Sequence, residues 1–364
     1  MTTHRWLLIS LVGITLAACG GDSGPGNTSP TLSLSSSFSV QEGSVSVGTA
    51  SGMDAENNSL SFSLSGTDAA LFSISSSNGA ISFRSAPDYE SPADGNTDND
   101  YSVSVTVSDG RLSSDASTTT ITVTDAFEGR VVDGPMSGAS VFIDLDGDGV
   151  PDADEPSGAT DSNGFFIVDA FTAVSGVQSR IISIGGIDTA TDNALPKLAL
   201  IADVPSDQTV TAVVTPLSTV LSSADTVEKK TAVLQGLGIT GSAESVVTTD
   251  NWALAESGDE TAKSIQAVNQ QVALVLQTAA TLVESDSSTT ELSAADIAVA
   301  VADEVVKVAT ASSSVDLSSA DTVISVLTDA VQASDGAATV STEAIAAVST
   351  SVAEVNALVA SADL

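Results

Sequence analysis

The sequence predicts a multidomain protein of class β plus α, in which a Greek-key β-sandwich, a small β-sandwich and a C-terminal α-helical bundle follow one another. Three observations predict this. Short runs of Val, Ile, Phe, Ser and Thr, broken by turn residues, fill residues 31–125, and further short β-type runs occur in residues 126–214. From residue 215 to residue 364, Ala, Val, Ser, Thr and Leu recur at helical spacing instead. A period of two residues indicates strands, and a period of about 3.6 indicates helices.

The first 18 residues have the order of a secretory signal. His4 and Arg5 make a short basic start, residues 6–18 are mostly apolar, and the run L-A-A-C ends at Cys19. This order resembles a bacterial lipoprotein signal with its lipobox, which implies removal of residues 1–18 and lipidation of Cys19. The alternatives are an ordinary cleaved signal with a chance cysteine and a retained membrane helix, for which the apolar stretch is short.

The residues after Cys19 indicate where the protein is delivered. Gly20 and Gly21 stand where inner-membrane lipoproteins commonly carry an aspartate, so the resemblance implies anchoring to the outer membrane of a bacterial cell envelope. Residues 19–30 consist largely of Gly, Ser, Asn, Asp and Pro. Such a composition predicts a flexible tether between the lipid and the first domain.

Residues 31–125 predict a sandwich of about seven strands. The run from Tyr101 to Val107 alternates strictly between apolar and polar residues, as expected of a strand with one buried face. Similar short runs occur near residues 60–65, 71–75, 80–84 and 118–124. Many short strands within about a hundred residues favour a Greek-key sandwich.

This segment resembles a bacterial cadherin-like repeat. The similarity is carried by V-Q-E at 40–42, D-A-E at 54–56, L-F-S-I at 71–74, N-G-A-I-S-F at 78–83, P-D-Y-E at 87–90, the strand 101–110 and I-T-V-T-D at 121–125. The resemblance implies calcium shared with a following repeat at one end of the sandwich, through Glu42, Asp88, Glu90 and Asp125. It implies a second acidic half-site, facing a preceding repeat, at Asp54, Glu56 and Asp109.

The chain departs from that family in three respects. Only one repeat is present, Glu56 replaces the second aspartate of the usual pair, and A-F-E at 126–128 replaces the Asp-rich linker. A half-site of three or four carboxylates can hold one calcium ion weakly when water supplies the remaining ligands. The alternative is that these acids are turn residues and strand ends that bind no metal.

The run D-L-D-G-D-G-V-P-D-A-D-E at 144–155 is the most specific motif in the chain. It fits the calcium-loop pattern D-x-D-x-D-G-x-x-D-x-x-E without a gap. In such a loop the glycine at the sixth position, here Gly149, permits the tight turn. The predicted ligands are the side chains of Asp144, Asp146, Asp148, Asp152 and Glu155 and the carbonyl of Val150.

The residues before this loop predict a strand, whereas an EF-hand would have a helix there. The context, in runs 129–144 and 160–165, resembles the small prealbumin-like or collagen-binding-B-like modules of bacterial surface proteins. We therefore expect a calcium loop within a small β-sandwich at 126–214, with strands near 129–132, 139–143, 164–168 and 180–184. The alternative is an acidic, well-solvated hairpin loop without metal.

Residues 215–364 predict helices that pack on one another. Thr215 followed by Pro216 is typical of a helix N-cap, and Ser222 with Asp225 has the spacing of a capping box. We expect helices near 216–223, 225–235, 258–284, 293–311, 318–333 and 341–360. After the leader, no apolar stretch is expected to be long enough to span a membrane.

Composition excludes several classes of function. His4 and Cys19 are the only histidine and cysteine. Once the leader is removed and Cys19 is blocked by lipid, the chain has no histidine base, no free thiol and no histidine or cysteine ligands for zinc. The 47 acidic and 10 basic residues give a net charge of −37, which disfavours nucleic acid as a partner and favours oxygen-liganded cations.

Together, these observations predict a calcium-binding, lipid-anchored cell-surface protein that is not an enzyme and acts in adhesion or envelope interaction. Its partner would be a second copy of the chain or another cell-surface molecule. One alternative is a carboxylate-dependent surface hydrolase, which needs two acids in one concave, water-poor pocket, one with a raised pKa. Another is that the helical region is a docking module for an envelope partner.

Overall fold

The computed structural model describes residues 26–174, 176–284, 294–312, 314–334 and 340–361. The predicted leader, Cys19 and most of the predicted tether lie outside the described residues. The chain forms two compact units, one up to Thr124 and one from Asp125 onward. The first unit is built from strands and the second from strands and α-helices, which confirms the predicted class of β plus α.

The first unit contains nine strands in its described part. They are β1 (Thr31–Ser33), β2 (Ser37–Gln41), β3 (Ser46–Thr49), β4 (Ser51–Met53), β5 (Ser61–Ser65), β6 (Phe72–Ile74), β7 (Ala80–Phe83), β8 (Asp100–Ser108) and β9 (Ser117–Thr124). One sheet has the order β2-β9-β8-β5, a second has the order β3-β7-β6, and β1 pairs with β4. β2 runs parallel to β9, and the other pairs are antiparallel.

The core of this unit lies between the two larger sheets. Along β8 the buried positions alternate, so that Tyr101, Val103, Val105 and Val107 share the inner face, as their spacing predicts. The Tyr101 ring meets Phe72 and Phe83 of the opposite sheet in edge-to-face contacts, with ring centres 5.8 and 5.3 Å away. These contacts join the sheets of the predicted sandwich.

The second unit begins with ten strands. They are β10 (Phe127–Val131), β11 (Met136–Ser137), β12 (Ser140–Asp144), β13 (Ser157–Ala159), β14 (Phe165–Val168), β15 (Arg180–Ile184), β16 (Ile187–Asp188), β17 (Asn193–Ala194), β18 (Ala199–Asp203) and β19 (Ala212–Val214). Three sheets result, with the orders β13-β12-β15-β18, β14-β10-β19 and β11-β16-β17. β12 leads into the acidic loop as a strand, as expected.

Eight helices follow within the described residues. They are α1 (Pro216–Ser223), α2 (Val227–Gly236), α3 (Ala243–Thr248), α4 (Asn251–Glu256), α5 (Glu260–Glu284), α6 (Ala294–Ala311), α7 (Ala320–Ser334) and α8 (Thr342–Ser361). Thr215 caps α1 as predicted: its hydroxyl accepts a hydrogen bond from the Ser218 amide, and the Ser218 hydroxyl accepts one from the Thr215 amide. The predicted cap at Ser222 is wrong, because that residue lies inside α1 and Thr226 caps α2.

The strands and helices of the second unit share one hydrophobic core, which extends along the sequence from Phe127 to Ala353. α1 bonds directly to β18, where the Ser218 hydroxyl donates to the Ile201 carbonyl and the Ile201 amide donates to the Thr219 hydroxyl. The domain boundary predicted at residue 214 therefore separates strands from helices in sequence but divides a continuous core. Truncation at residue 214 tests whether the two parts fold independently, as the sequence-based boundary predicts.

α8 meets the length and hydropathy expected of a membrane span, contrary to the sequence-based expectation. It is also a packed helix, in contact with α5 and α7. Its Asn356 side chain is buried and donates a hydrogen bond to the Leu317 carbonyl. A buried asparagine bonded to a neighbouring loop is typical of a core-facing helix, and its burial places that face against protein.

Candidate functional site

The acidic loop connects β12 to β13 and turns sharply at two glycines. Gly147 and Gly149 have φ angles of 87° and 74°, a left-handed conformation that glycine adopts without steric cost. The sequence motif predicts the tight turn at Gly149, and the structure shows a second left-handed glycine at Gly147. These turns bring the alternate aspartates of the loop toward one another.

The predicted ligand residues lie together. Carboxylate oxygens of Asp144, Asp146 and Glu155 lie within 4.8 Å of one another, and so do those of Asp146, Asp148 and Asp152. The two groups share Asp146, so all five predicted carboxylates belong to one continuous cluster. The separation is short enough for a single calcium ion to contact several of these oxygens.

The loop is also organised by its own backbone amides. Glu155 accepts hydrogen bonds from the amides of Leu145 (2.7 Å) and Asp152 (3.1 Å), one at each carboxylate oxygen. The Asp144 Oδ1 atom accepts from the Gly147 amide (2.7 Å). The last acid of the loop thus ties its beginning to its end, and the carboxylates are held close to one another.

Burial and charge make this arrangement costly without a cation. Asp144 is only 1% exposed, and its Oδ2 atom has no hydrogen-bond partner within the described residues. Glu155 is 8% exposed, and burial raises the pKa of its carboxyl, with the charges of Asp144 and Asp146 adding to the rise. An unpartnered buried carboxylate oxygen and mutual repulsion are both relieved by an oxygen-liganded cation, so these residues fit calcium.

A cavity of about 490 Å³ adjoins the loop. Asp144 and Asp148 line it from the loop, and Asp296 and Asp303 line it from α6. Arg180 lines it from β15, and its Nε atom is buried without a hydrogen-bond partner in the described chain. Burial raises the pKa of Asp303, although a hydrogen bond from Ser223 and the charge of Arg180 partly offset this rise. The helical region therefore contributes acids next to the loop, which the sequence did not indicate.

The structure brings three residues of the first predicted half-site together. Carboxylate oxygens of Glu42, Asp88 and Glu90 lie within 4.8 Å of one another. Glu42 is buried and accepts a hydrogen bond from the Tyr89 amide (2.8 Å), and Asp88 accepts one from the Ser91 amide (2.9 Å). Asp125 is the first residue of the second unit. Calcium binding at this half-site stays a prediction.

The second predicted half-site has other contacts in the structure. Asp109 accepts a hydrogen bond from the Asn27 side chain (2.6 Å), and Glu56 accepts one from the Thr28 hydroxyl (2.9 Å). Asp54 accepts from the amides of Glu56 and Asn58. Among the described residues, these three acids do not form a cluster of the kind seen at the loop. Asp109 and Glu56 therefore hydrogen-bond to the segment that precedes β1.

A second cavity contains two acids that the sequence analysis did not single out. It measures about 460 Å³ and is lined by Asp133 and Asp188 together with Trp252 and Gln277. Asp133 is 8% and Asp188 is 7% exposed. Burial, reinforced by the charge of Asp188, raises the pKa of Asp133 to about 7. Two acids in one concave pocket are the arrangement that the hydrolase alternative required, and no local spacing in the sequence reveals it.

Comparison with solved structures finds similarity to cadherin extracellular regions. No protein-family model matches the chain, and no curated protein matches it. The Drosophila N-cadherin EC1-3 structure is 21% identical, with 28% of this chain and 35% of that chain covered and a TM-score of 0.24. The human protocadherin-24 EC1-2 structure is 15% identical over 49% of this chain and 96% of that chain, with a TM-score of 0.23. At these identities and TM-scores, the similarity carries no information about what this chain binds.

Proposed function

We propose that this chain is a calcium-binding, lipid-anchored protein of the bacterial cell surface that acts in adhesion or envelope interaction. One observation carries the calcium part. The Asp144 carboxylate is almost completely buried, has an oxygen without a hydrogen-bond partner in the described chain, and shares its cluster with Asp146 and Glu155. Calcium is the hard, oxygen-preferring cation whose loop pattern the sequence carries.

Calcium has a structural role in this proposal. The loop connects β12 to β13 in the four-stranded sheet of the second unit, and Asp144 is the last residue of β12. A bound ion would relieve repulsion between the loop carboxylates and hold that end of the sheet, so that the folded state is stabilised in proportion to calcium occupancy. Calcium would in this way stiffen the surface-exposed part of the protein.

The anchor and the location are proposed from the sequence. The L-A-A-C run at 16–19 supports lipidation of Cys19, and the residues that follow support delivery to the outer membrane. Two or three acyl chains hold a protein stably on a bilayer where one does not. Replacement of Cys19 by Ser should release the protein from the membrane fraction and abolish labelling with a palmitate analogue. Unchanged membrane association would contradict the anchor.

Calorimetric titration of the chain with calcium tests the central part of the proposal. We expect a saturable heat of binding for the parent protein, and loss of the loop component when Asp146 and Asp148 are both replaced by Asn. Adhesion is tested separately, by aggregation of beads coated with the protein. Calcium-dependent aggregation supports the adhesive role, and beads that stay dispersed in calcium contradict it while leaving the calcium site intact.

The two alternative functions are weighed by different observations. The pair formed by Asp133 and Asp188 supports the hydrolase alternative. Cleavage of a neutral glycoside by the parent protein, lost in the Asp133→Asn variant, would favour that alternative over adhesion. The helical docking module stays a prediction. Its support is the exposed apolar surface of α8 at Val355 and Leu358.

A further inference from the structure

The cavity that contains Asp133 and Asp188 lies between strands and helices of the second unit. Asp133 and Gly134 follow β10, and a second group of lining residues, 188–195, comes from the β16–β17 hairpin and the residue after it. The remaining lining comes from α4, α5 and α8. The polar part of the lining includes Thr191, Asn193, Gln270 and Gln277. The apolar part includes Leu195, Trp252, Leu274 and Val359. A volume of about 460 Å³ is in the range that holds a small organic molecule.

The two acids differ in how their oxygens are satisfied. Both oxygens of Asp188 accept hydrogen bonds, Oδ1 from the Ala190 amide (2.9 Å) and Oδ2 from the Thr191 hydroxyl (2.5 Å). Asp133 Oδ2 accepts one from the Gln277 side chain (3.1 Å), whereas Oδ1 receives none from the part of the chain that the structure describes. Asp133 is more than nine-tenths buried as a residue and lines the cavity, so a ligand in the cavity can reach its carboxyl group.

The backbone keeps these acids in place. The Gln266 side chain donates a hydrogen bond to the Asp133 carbonyl (3.2 Å), which fixes the turn to α5. A Cβ atom at Gly134 would lie only 2.0 Å from Asp188 Oδ1, so the glycine is what allows the Asp188 carboxylate to lie against this turn. Two carboxyl groups are therefore positioned at one place by features that a merely solvated acidic surface does not need.

Charge identifies the class of ligand. Neither Lys nor Arg is present among the described residues that line the cavity, and Asp133 and Asp188 are its only titratable lining residues. Two buried carboxyl groups without a counter-charge are unfavourable, and a cation that enters the cavity removes that cost. The indole of Trp252 lines the same cavity, and indole rings attract cations.

We propose that this cavity binds a small organic ammonium ion. The ammonium N–H groups would donate hydrogen bonds to the Asp133 and Asp188 carboxylates, and the hydrocarbon part would contact Trp252, Leu274 and Val359. A calcium ion fits less well, because it needs six to eight oxygen ligands and much of this lining is apolar. A neutral sugar leaves the two acids uncompensated. The proposal is independent of calcium binding at the 144–155 loop.

Trp252 provides a direct readout. Trp6 and Trp252 are the only two tryptophans, so the Trp6→Phe variant of the full chain, kept in a neutral detergent, has a single indole, in the cavity. Butylammonium chloride serves as the cationic probe, with 1-butanol, glucose and calcium chloride at equal concentrations as controls. We expect a saturable change of Trp252 fluorescence with the ammonium probe and none with the three controls.

Matched variants separate the cavity from general surface charge. Asp133→Asn and Asp188→Asn should each weaken ammonium binding about tenfold or more, because a hydrogen bond to a charged group is lost. Asp192→Asn removes the same charge from an exposed turn next to the cavity and should leave binding unchanged. A thermal melt of each variant shows whether it is folded, and Asp133→Asn is expected to fold because it removes a buried acid.

Several results would overturn the proposal. They are the absence of saturable butylammonium binding, equal binding of 1-butanol or glucose, competition by calcium, or a loss of binding in Asp192→Asn as large as in Asp133→Asn. Binding or cleavage of a neutral saccharide instead would assign the cavity to the hydrolase alternative. Failure of calcium to bind the loop would leave this test unaffected.

Discussion

Asp144 and Glu155 are the first and last acids of one loop, and their carboxylates meet at its base, both buried. The loop backbone binds both groups, yet one Asp144 oxygen has no hydrogen-bond partner in the described chain. Burial and the nearby acids raise the pKa of Glu155, because both disfavour its ionised form in the folded chain. The stability of the second unit should therefore depend on calcium.

Replacement of Glu155 by Gln should abolish most of the stabilisation by calcium. For the parent protein, calcium at roughly thirty times its Kd should add about 2 kcal/mol to the free energy of unfolding. Thermal unfolding with and without calcium measures this difference. Asp154→Asn is the matched control, since Asp154 lies in the same loop, is exposed and belongs to neither carboxylate group. An equal calcium response in both variants would contradict the assigned ligands.

Replacement of Asp133 by Asn should stabilise the second unit near neutral pH. The pKa of Asp133 is about 7 in the folded chain against 3.8 for the unperturbed group, so the folded state holds the proton more tightly. Below about pH 4 the Asp133 carboxyl is protonated in both states and does not change the free energy of unfolding. As pH rises from about 4 toward 7, the free energy of unfolding falls by up to about 4 kcal/mol, because only the unfolded state releases the proton readily.

Urea unfolding of the parent and of Asp133→Asn at acid and neutral pH checks this. The parent should lose stability across that window more steeply than the variant, and Asp192→Asn should behave as the parent does. Parallel pH profiles for the parent and Asp133→Asn would show that Asp133 is not protonated in the folded state.

Replacement of Gly134 by Ala should destabilise the second unit by about 1–3 kcal/mol. The added Cβ meets Asp188 Oδ1 at 2.0 Å, so the Asp188 carboxylate or the turn must move. Gly95→Ala in the first unit is the contrasting control, because nothing lies within 4 Å of its added Cβ. Chemical denaturation, with the transition of each unit followed separately, should show destabilisation in the first variant only. Equal small effects would mean that the second unit accommodates the methyl group.

Truncation at residue 214 should leave an unfolded second unit. The fragment 26–214 loses α1, which bonds to β18 through Ser218 and Thr219 and contributes the buried Leu217 and Val220 to the shared core. The fragment 26–124 keeps a complete core and should fold alone. NMR amide dispersion distinguishes the two outcomes. Dispersed signals from β12 and β15 in 26–214 would instead support the independent small β-sandwich predicted from sequence.

The sequence predicted those features of the structure that depend on local spacing. The 144–155 loop and the cap at Thr215 are each formed by residues close together in sequence, so residue types and their spacing were enough to predict them. The alternation along β8 was equally readable, since one face of that strand is buried. β18 was missed although 198–202 is an uninterrupted apolar run, which is typical of a strand buried on both faces.

Long-range relationships were not readable in the same way. Asp133 follows β10 and Asp188 ends β16, and the two acids line one cavity only because the fold brings β10 and the β16–β17 hairpin together. Ser222 has the spacing of a cap, but its hydroxyl donates to Asp203 of β18 instead, and the helix continues through it. A tertiary partner thus overrides the local signal, and α3 and α4, each six residues long, were too short to give one.

The most direct test of the calcium site is a high-resolution crystal structure of the chain grown in abundant calcium. We predict an ion in the 144–155 loop, bound by oxygens of Asp144, Asp146 and Glu155 at about 2.3–2.6 Å. The Asp144 oxygen that lacks a partner should be one of its ligands. A well-ordered loop without an ion, or with Asp144 turned away from Asp146, would contradict the account.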